Sequence, residues 1–559
     1  MTDFAGDAAA AAIRSALERC NAGVAFGLPG GSNQALFKAL RAGRTRLIVP
    51  THELAAAFMA GSYGRVAGRP GILLTIRGPG FAYALPGIAE AWQDSAPLVH
   101  IVGAPPEGPH QRHRHQALDQ AAIVRPMVKA VFGVSELAKL GETICLAFET
   151  AQGGEPGPVV VQLGGSDDEP GSGPGVGVQD TVAARAVWAR VHRARKPVLL
   201  LGQGCVGAAA AICAYVERTA TPVFTTASGR GVLPEQSPWC LGYDSLRGST
   251  DQLNAFLCET DLVIAIGARL AFNGTAGFRV TLPSERLVHV DASTDNLNAV
   301  YPASSAAAIS VEAFLAMAEG GIAPRTAWTP ETLAPWRARI RAVYSRDWEP
   351  TIAGQTPEQF FGRLRAELPD NALLVTDSGL HQVLARRYFE VRQAHGLLLP
   401  ADLQSMGFAL PSAIAAKLAA PSRPVVALVG DGGALMSGFE LAVAVRERLA
   451  FTVIVFNDGY LNQIRMQQLQ NSGQGHGVTL PIIDFKALAG AVGARYVAGD
   501  SASPDRVGHA TRNAAVTLVD VPVRDGVSVL AAAAGSRAKA VGRSALGTHW
   551  DILRRWLRR

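Results

Sequence analysis

Three times along the chain, a proline-led apolar run ends in a glycine turn and passes into a helical pattern. Arg69-Pro70 leads into GILLTI and then Arg77-Gly78-Pro79-Gly80. Lys196-Pro197 leads into VLLL and then Gly202-Gln203-Gly204. Arg423-Pro424 leads into VVALV and then Gly430-Asp431-Gly432-Gly433. A short unbroken β-branched run has no polar side to turn to water. It predicts a strand buried on both faces, as in a parallel sheet covered by helices. Glycine at the turn lets the backbone fold tightly into the helix N-terminus. The sequence therefore predicts an α/β chain of three doubly wound parallel-sheet domains.

Linker composition gives the boundaries. GGSDDEPGSGPGVGVQD (164–180) and EGGIAPRTAWTPETLAPW (319–336) are rich in Pro and Gly and divide the chain into thirds. We expect domains at 1–170, 185–320 and 350–530, followed by a basic tail at 536–559. The 559 residues are 48% hydrophobic and 18% charged, enough for large cores and too apolar for disorder. The net charge of +6 is carried by the tail, which holds seven Lys/Arg and one Asp. With the remainder near neutral, no nucleic-acid partner is expected. No unbroken run of 18 apolar residues predicts a membrane span. The N-terminus reads as an amphipathic helix and not as a signal peptide. The six cysteines form no Cys-x-x-Cys pair, which predicts free, buried thiols in a reducing cytoplasm.

The third unit carries the sharpest chemistry. In GDGGALMSGFELAVAVRERLAFTVIVFNDG (430–459), a carboxylate, Asp431, follows one apolar run, and an amide, Asn457, closes the next. A helix is expected between them. A Walker A loop is excluded, because no Gly-Lys-Ser/Thr follows. A dinucleotide fingerprint fits poorly, because its acid belongs at the next strand end. Gly-Asp-Gly and Asn-Asp-Gly are also ordinary turn chemistry. Together, a carboxylate oxygen, an amide oxygen and nearby carbonyls suit Mg²⁺ or Ca²⁺. The helix N-terminus favours an anion. The combination points to a diphosphate held through a divalent ion.

This spacing resembles the diphosphate motif of thiamine-diphosphate enzymes, whose usual form ends in two asparagines; here the second position is Asp458. The resemblance implies Mg²⁺ held by Asp431, the Asn457 side chain and the Gly459 carbonyl, with Asp458 not a ligand. It implies a cofactor lined by Gly430, Asp431, Gly432, Gly433 and Ala434.

Other segments resemble the acetolactate synthase, pyruvate oxidase and benzoylformate decarboxylase group in order. THELAAAF carries Glu53, with no other carboxylate until Glu90. Apolar surroundings suit an acid that shares a proton with the aminopyrimidine ring nitrogen, the catalytic role that the resemblance implies. The alternative is a helix-N-terminal acid satisfying the dipole. FGLPGGSN (26–33), RGPGFAYALPGIAEAWQDSAPLVHIVG (77–103) and PGPVVVQL (156–163) resemble parts of the first domain. GRGVLPEQSPWCLG (229–242) and DLVIAIGARL (261–270) resemble parts of the middle domain. SMGFALPSAIAAKLA (405–419) resembles the segment over which the cofactor bends. Met406 would be its apolar wedge, and the backbones of Gln404 and Met406 would bind the aminopyrimidine. Asp377-Ser378-Gly379-Leu380-His381 resembles the diphosphate-side loop, which assigns Asp377, Gly379, Leu380 and His381 to the cofactor. The alternatives are core filling for Met406 and helix capping for Asp377.

Substrate contacts are expected from Gly31, His115 and Gln116, or from a solvated basic loop in the case of the last two. Arg77 stands where a small residue is usual and Tyr83 where Asn is usual. Arg77 either clamps a second carboxylate or faces solvent. GARLAFNGTAGF lacks the acidic pair associated with FAD, so FAD is not expected. The resemblance implies pyrimidine-binding, middle and diphosphate-binding domains acting on a 2-oxo acid. It leans towards decarboxylation with carboligation, with simple decarboxylation to an aldehyde or a non-catalytic relative as alternatives. It also implies a homodimer or dimer of dimers, with Glu53 meeting the Asp431 of another subunit.

Overall fold

The computed structural model describes residues 4, 6–105, 113–165, 179–244, 250–320, 325–342, 349–499 and 515–525. The basic tail lies outside them.

Each predicted apolar run is a buried strand, and the strands form three sheets. The first sheet contains β1 (Val24–Gly27), β2 (Arg46–Ile48), β3 (Gly71–Thr75), β4 (Leu98–Gly103), β5 (Ala130–Val134) and β6 (Pro158–Leu163). Its order is β2-β1-β3-β4-β6-β5, parallel throughout. The second contains β7 (Pro197–Leu201), β8 (Val223–Thr225), β9 (Cys240–Tyr243), β10 (Leu262–Ile266), β11 (Leu287–Asp291) and β12 (Ser305–Ala308). Its order is β12-β11-β10-β7-β8-β9, again parallel. The third contains β13 (Thr351–Ile352), β14 (Leu373–Thr376), β15 (Leu397–Leu398), β16 (Val425–Gly430), β17 (Thr452–Asn457), β18 (Arg495–Ala498) and β19 (Thr517–Arg524). Its order is β13-β19-β17-β16-β14-β15, with β18 also on β19. The two-residue β13 is antiparallel to β19, an edge exception to the parallel pattern. In each sheet the winding reverses direction, between β1 and β3, between β7 and β10 and between β14 and β16, which places a crevice at the carboxyl ends of those strands.

Two corrections concern local structure. The single helix expected after Gly430 is two short ones, Asp431–Ser437 and Glu440–Arg446. They break at Gly438, where an added Cβ would stand 2.5 Å from the Ala434 carbonyl oxygen. Of the six free thiols, only Cys205 and Cys240 are buried, and Cys258 is exposed.

The first and third domains share one hydrophobic core. The alanine-rich helix Glu53–Ala67 lies against the equally small-faced helix Ala409–Ala419, where Ser62 and Ser412 hydroxyls bond at 2.7 Å. Phe58 meets Phe408 edge to face. The buried Glu440 carboxylate accepts from the Thr51 N–H at 3.0 Å and from its hydroxyl. Burial pushes the Glu440 carboxyl pKa up. No described helix is long and apolar enough to cross a membrane.

Candidate active site

β16 and β17 are parallel neighbours, with Gly430 opposite Phe456. Asp431 and Asn457 therefore emerge side by side at the same sheet end, although 26 residues separate them in the chain. Asp431 opens its helix and is buried. Its Oδ1 accepts from Gly432 N–H at 2.8 Å, and its Oδ2 accepts from Gly459 N–H at 2.6 Å and Asp458 N–H at 3.2 Å. The carboxylate thus already gathers the residues from both strand ends. Burial raises its pKa against the pull of these N–H donors. Asn457 Nδ2 donates to Asp520 Oδ1 at 3.1 Å, which turns the amide oxygen the other way. Gly459 has φ +75°, and an added Cβ would meet nothing within 4 Å. Asp458 turns from this cluster. It accepts from Tyr460 N–H at 3.0 Å and Asn462 Nδ2 at 2.7 Å, tying the turn to the next helix. Burial first, and then the Asp431 charge, push its carboxyl up to about 7.

Around this cluster lie the other cofactor candidates of the third domain. Asp377 is fully buried at the end of β14. It accepts from Gly407 N–H at 3.0 Å and Phe408 N–H at 2.9 Å, so its carboxylate is spent on the loop ahead of the Ala409 helix. Burial holds its pKa up at about 6 even so. It also explains Gly433, where a Cβ would fall 1.9 Å from Asp377 Oδ2. Gly379 has φ +142°, and the His381 ring covers both it and Gly430. His381 is buried, and burial lowers its pKa to about 3, which keeps the ring neutral. Its Nε2 has no hydrogen-bond partner in the structure. Leu380 and Ala434 are buried beside these groups. The Met406 methyl would lie 3.3 Å from a Cβ at Gly432. Gln404 is left-handed, with φ +60°.

In the first domain, Glu53 opens its helix behind His52, whose ring accepts from Ala55 N–H at 3.2 Å. Its carboxyl is only half-buried and rests on Gly80, where a Cβ would be 3.0 Å from Oε1. Among the described residues, no hydrogen bond joins Glu53 to the third domain. The Gly78-Pro79-Gly80 turn is braced by Gln120, a buried amide that accepts from Gly78 N–H at 3.0 Å and donates to Gly103 carbonyl at 3.1 Å. Gln116, with φ +57°, packs on Gly78. Of the residues expected on the substrate side, Gln116 thus reaches the Gly78 turn, whereas His115 and Gly31 are exposed. Arg77 does not face solvent. It is half-buried and its guanidinium donates to the Ala104 carbonyl at 3.4 Å. Tyr83 is 66% exposed.

Family models match all three domains. Residues 7–123 match the N-terminal TPP binding domain of thiamine pyrophosphate enzymes, 184–317 their central domain and 377–524 their C-terminal TPP binding domain. The chain is 32% identical to a probable 2-ketoarginine decarboxylase of Pseudomonas aeruginosa, over 84% of this chain and 85% of that one. The chain belongs to the thiamine pyrophosphate enzyme family. It is also 30% identical to the acetolactate synthase large subunit of Parasynechococcus marenigrum, over 92% of this chain and 88% of that one. The acetolactate synthase isozyme 1 large subunit of Escherichia coli is 29% identical, over 85% and 86% of the respective chains.

As a thiamine pyrophosphate enzyme, the chain has residues that fit the cofactor. Asp431, the Asn457 amide oxygen and the Gly459 carbonyl offer hard oxygen donors at one strand end. The unpartnered Nε2 of a neutral, buried His381 is a polar atom that a ligand can satisfy.

The middle domain contributes a second concavity, of 530 Å³, at the ends of its own strands. Gly202, Gly204, Gly267, Arg269, Asp291 and Asn296 line part of it. That volume suits a sizeable small molecule. Arg269 crosses from it to Asp402 in the third domain.

Proposed function

We propose that the chain is a thiamine-diphosphate and Mg²⁺ enzyme that decarboxylates a 2-oxo acid and joins the retained carbon unit to a second carbonyl. The observation that carries this reading is the convergence of Asp431, Asn457 and Gly459 at one strand end, together with a half-buried Glu53 in the first domain whose side chain has no hydrogen bond among the described residues. Asp431, the Asn457 side chain and the Gly459 carbonyl hold the metal. The backbones of Gln404 and Met406 hold the aminopyrimidine, and Met406 fills the bend. When bound, thiamine diphosphate supplies the electron sink for loss of CO₂. Glu53 holds the proton at the aminopyrimidine ring nitrogen. His115, Gln116, Gly31 and Arg77 belong to the substrate side.

Two copies complete the site. Leu435, Met436 and Phe439, just after Asp431, are 43%, 52% and 67% exposed, and Ile482 is fully exposed. Large exposed apolar side chains clustered on one short segment, as at 435–439, mark an interaction surface. A second copy covering them brings its own Glu53 to this Asp431.

A second reading, simple decarboxylation to an aldehyde, is favoured by the similarity to a protein named as a 2-ketoarginine decarboxylase. A panel of 2-oxo acids, with CO₂ release and product analysis, separates the two. A hydroxy-ketone product supports ligation, an aldehyde supports the second reading, and no CO₂ from any acid overturns both. FAD remains outside the proposal, and a purified protein with flavin absorbance would correct that.

A further inference from the structure

Helix Pro79–Gln93 of the first domain ends in two buried acids one turn apart, Glu90 and Asp94, both turned towards the third domain. Asp94 is the helix C-cap. Its carboxylate pairs with Arg65 at 2.7 Å and accepts from Ala401 N–H at 3.2 Å. Glu90 Oε2 accepts from Ser405 N–H at 3.0 Å, 315 residues away, while its Oε1 has no partner. The segment 401–408 is thus gripped at three places: by Asp94 at Ala401, by Glu90 at Ser405 and by Asp377 at Gly407 and Phe408.

This grip has a reason. Gln404 sits at φ +60°, a left-handed conformation that a side chain makes unfavourable by about 1–2 kcal/mol. An irregular segment with such a residue does not hold one shape unless its neighbours fix it. Gln404's own side chain offers little, only a 3.5 Å contact to the Ala401 carbonyl. We infer that Glu90 is a positioning residue for the cofactor loop: its carboxyl holds Ser405 N–H from the first domain and so fixes the turn that presents the Gln404 and Met406 backbones. This rests on the reading of Gln404–Met406 as the aminopyrimidine-binding segment.

The electrostatics say which form of Glu90 does this. Arg65, on the Glu53 helix, is taken by Asp94, and Arg269 is taken by Asp402 on the far side. Among the described residues, no cation bonds to Glu90. Burial first, and then the Asp94 charge, push its carboxyl up to about 8. Near neutral pH the group is therefore held largely as the neutral acid, whose carbonyl oxygen still accepts from Ser405. A glutamine reproduces that acceptor and that charge; a methionine reproduces only the volume.

The test compares Glu90→Gln with Glu90→Met in the full chain. Thiamine diphosphate affinity is measured by titration in the presence of Mg²⁺, and amide exchange of the 401–408 peptide is measured without cofactor. Glu90→Gln is expected to keep the affinity within about twofold. Glu90→Met is expected to lose about tenfold, the order for leaving one donor unsatisfied, and to speed exchange in 401–408 selectively. If Glu90→Met matches wild type in both measurements, or if Glu90→Gln falls as far as Glu90→Met, the inference is overturned. Should Glu90→Met not fold, Glu90→Gln decides alone: kept affinity with an unchanged exchange pattern supports the inference, and a tenfold loss overturns it. Failure of the underlying reading looks different. In that case the wild-type chain binds no thiamine diphosphate, or binds it without slowing exchange in 401–408.

Discussion

Two acids open helices at strand ends, and the chain treats them in opposite ways. Asp431 is buried and gripped by three backbone N–H groups from both sides of its crevice. Glu53 is half-buried, rests on Gly80 and has no hydrogen bond among the described residues. A carboxylate fixed by its own backbone is an immobile charge, suited to a cation. A carboxyl left unfixed can give and take a proton from whatever meets it. The same position in the same kind of unit is thus given two different settings, decided by how many donors surround it.

The most severe way to break the contrast is to remove the fixed charge. Asp431→Ala is expected to weaken metal-dependent thiamine diphosphate binding by more than about 100-fold, beyond what loss of an outer-shell partner does. Calorimetry that finds unchanged affinity sinks the metal assignment. Glu53→Gln should leave that affinity alone, slow turnover by about 10²–10⁴-fold and abolish exchange of the cofactor C2 proton, followed by NMR. Full turnover in this variant refutes the proton-holding role.

A finer comparison adds one methyl beside each acid's surroundings. Gly433→Ala drives a Cβ into Asp377, which two N–H groups pin, and is expected to cost about 1–3 kcal/mol. Gly80→Ala meets Ile76 and the unpinned Glu53 carboxyl, which can swing away, so its melting temperature should fall less. Equal losses would mean that Glu53 is as fixed as the acids of the third domain.

The most gradual effect is a pH slope. Asp377 has a folded-state pKa of about 6 against 3.8 for the free side chain. Between those values the folded chain binds the extra proton, so this group's contribution makes stability fall as pH rises from about 4 to 6. Its size is about 3 kcal/mol. Wild type should therefore lose ground to Asp377→Asn across that window in chemical denaturation. A difference independent of pH rules the shift out.

What the sequence made legible follows from distance along the chain. The strands stood out because fully buried strands have no polar alternation, and β16 and β17 are each one continuous run. Asp431 and Asn457 stood out because each adjoins such a run. Nothing comparable announces Glu90, Glu440 or Gln120. Glu90 looks like the polar face of a helix until its partner Ser405 arrives from another domain. Glu440 looks the same until Thr51 does. Asp520 sits in β19, and only sheet pairing sets it beside Asn457. The settings of His115 and Arg77 stayed open between two alternatives, because each is set by loop packing and not by any local pattern.

The helix Pro79–Gln93 behaves mechanically as a strut. At 1.5 Å per residue its 15 residues reach about 22 Å. One end carries Gly80, the seat of Glu53; at the other, Glu90 in the last turn and Asp94 at the cap clasp the 401–405 segment of the same chain. In the paired assembly proposed above, the first end belongs to one catalytic centre and the second to the other. A tilt of the strut at either end is then felt at both, so two turnover cycles on one dimer share a common lever.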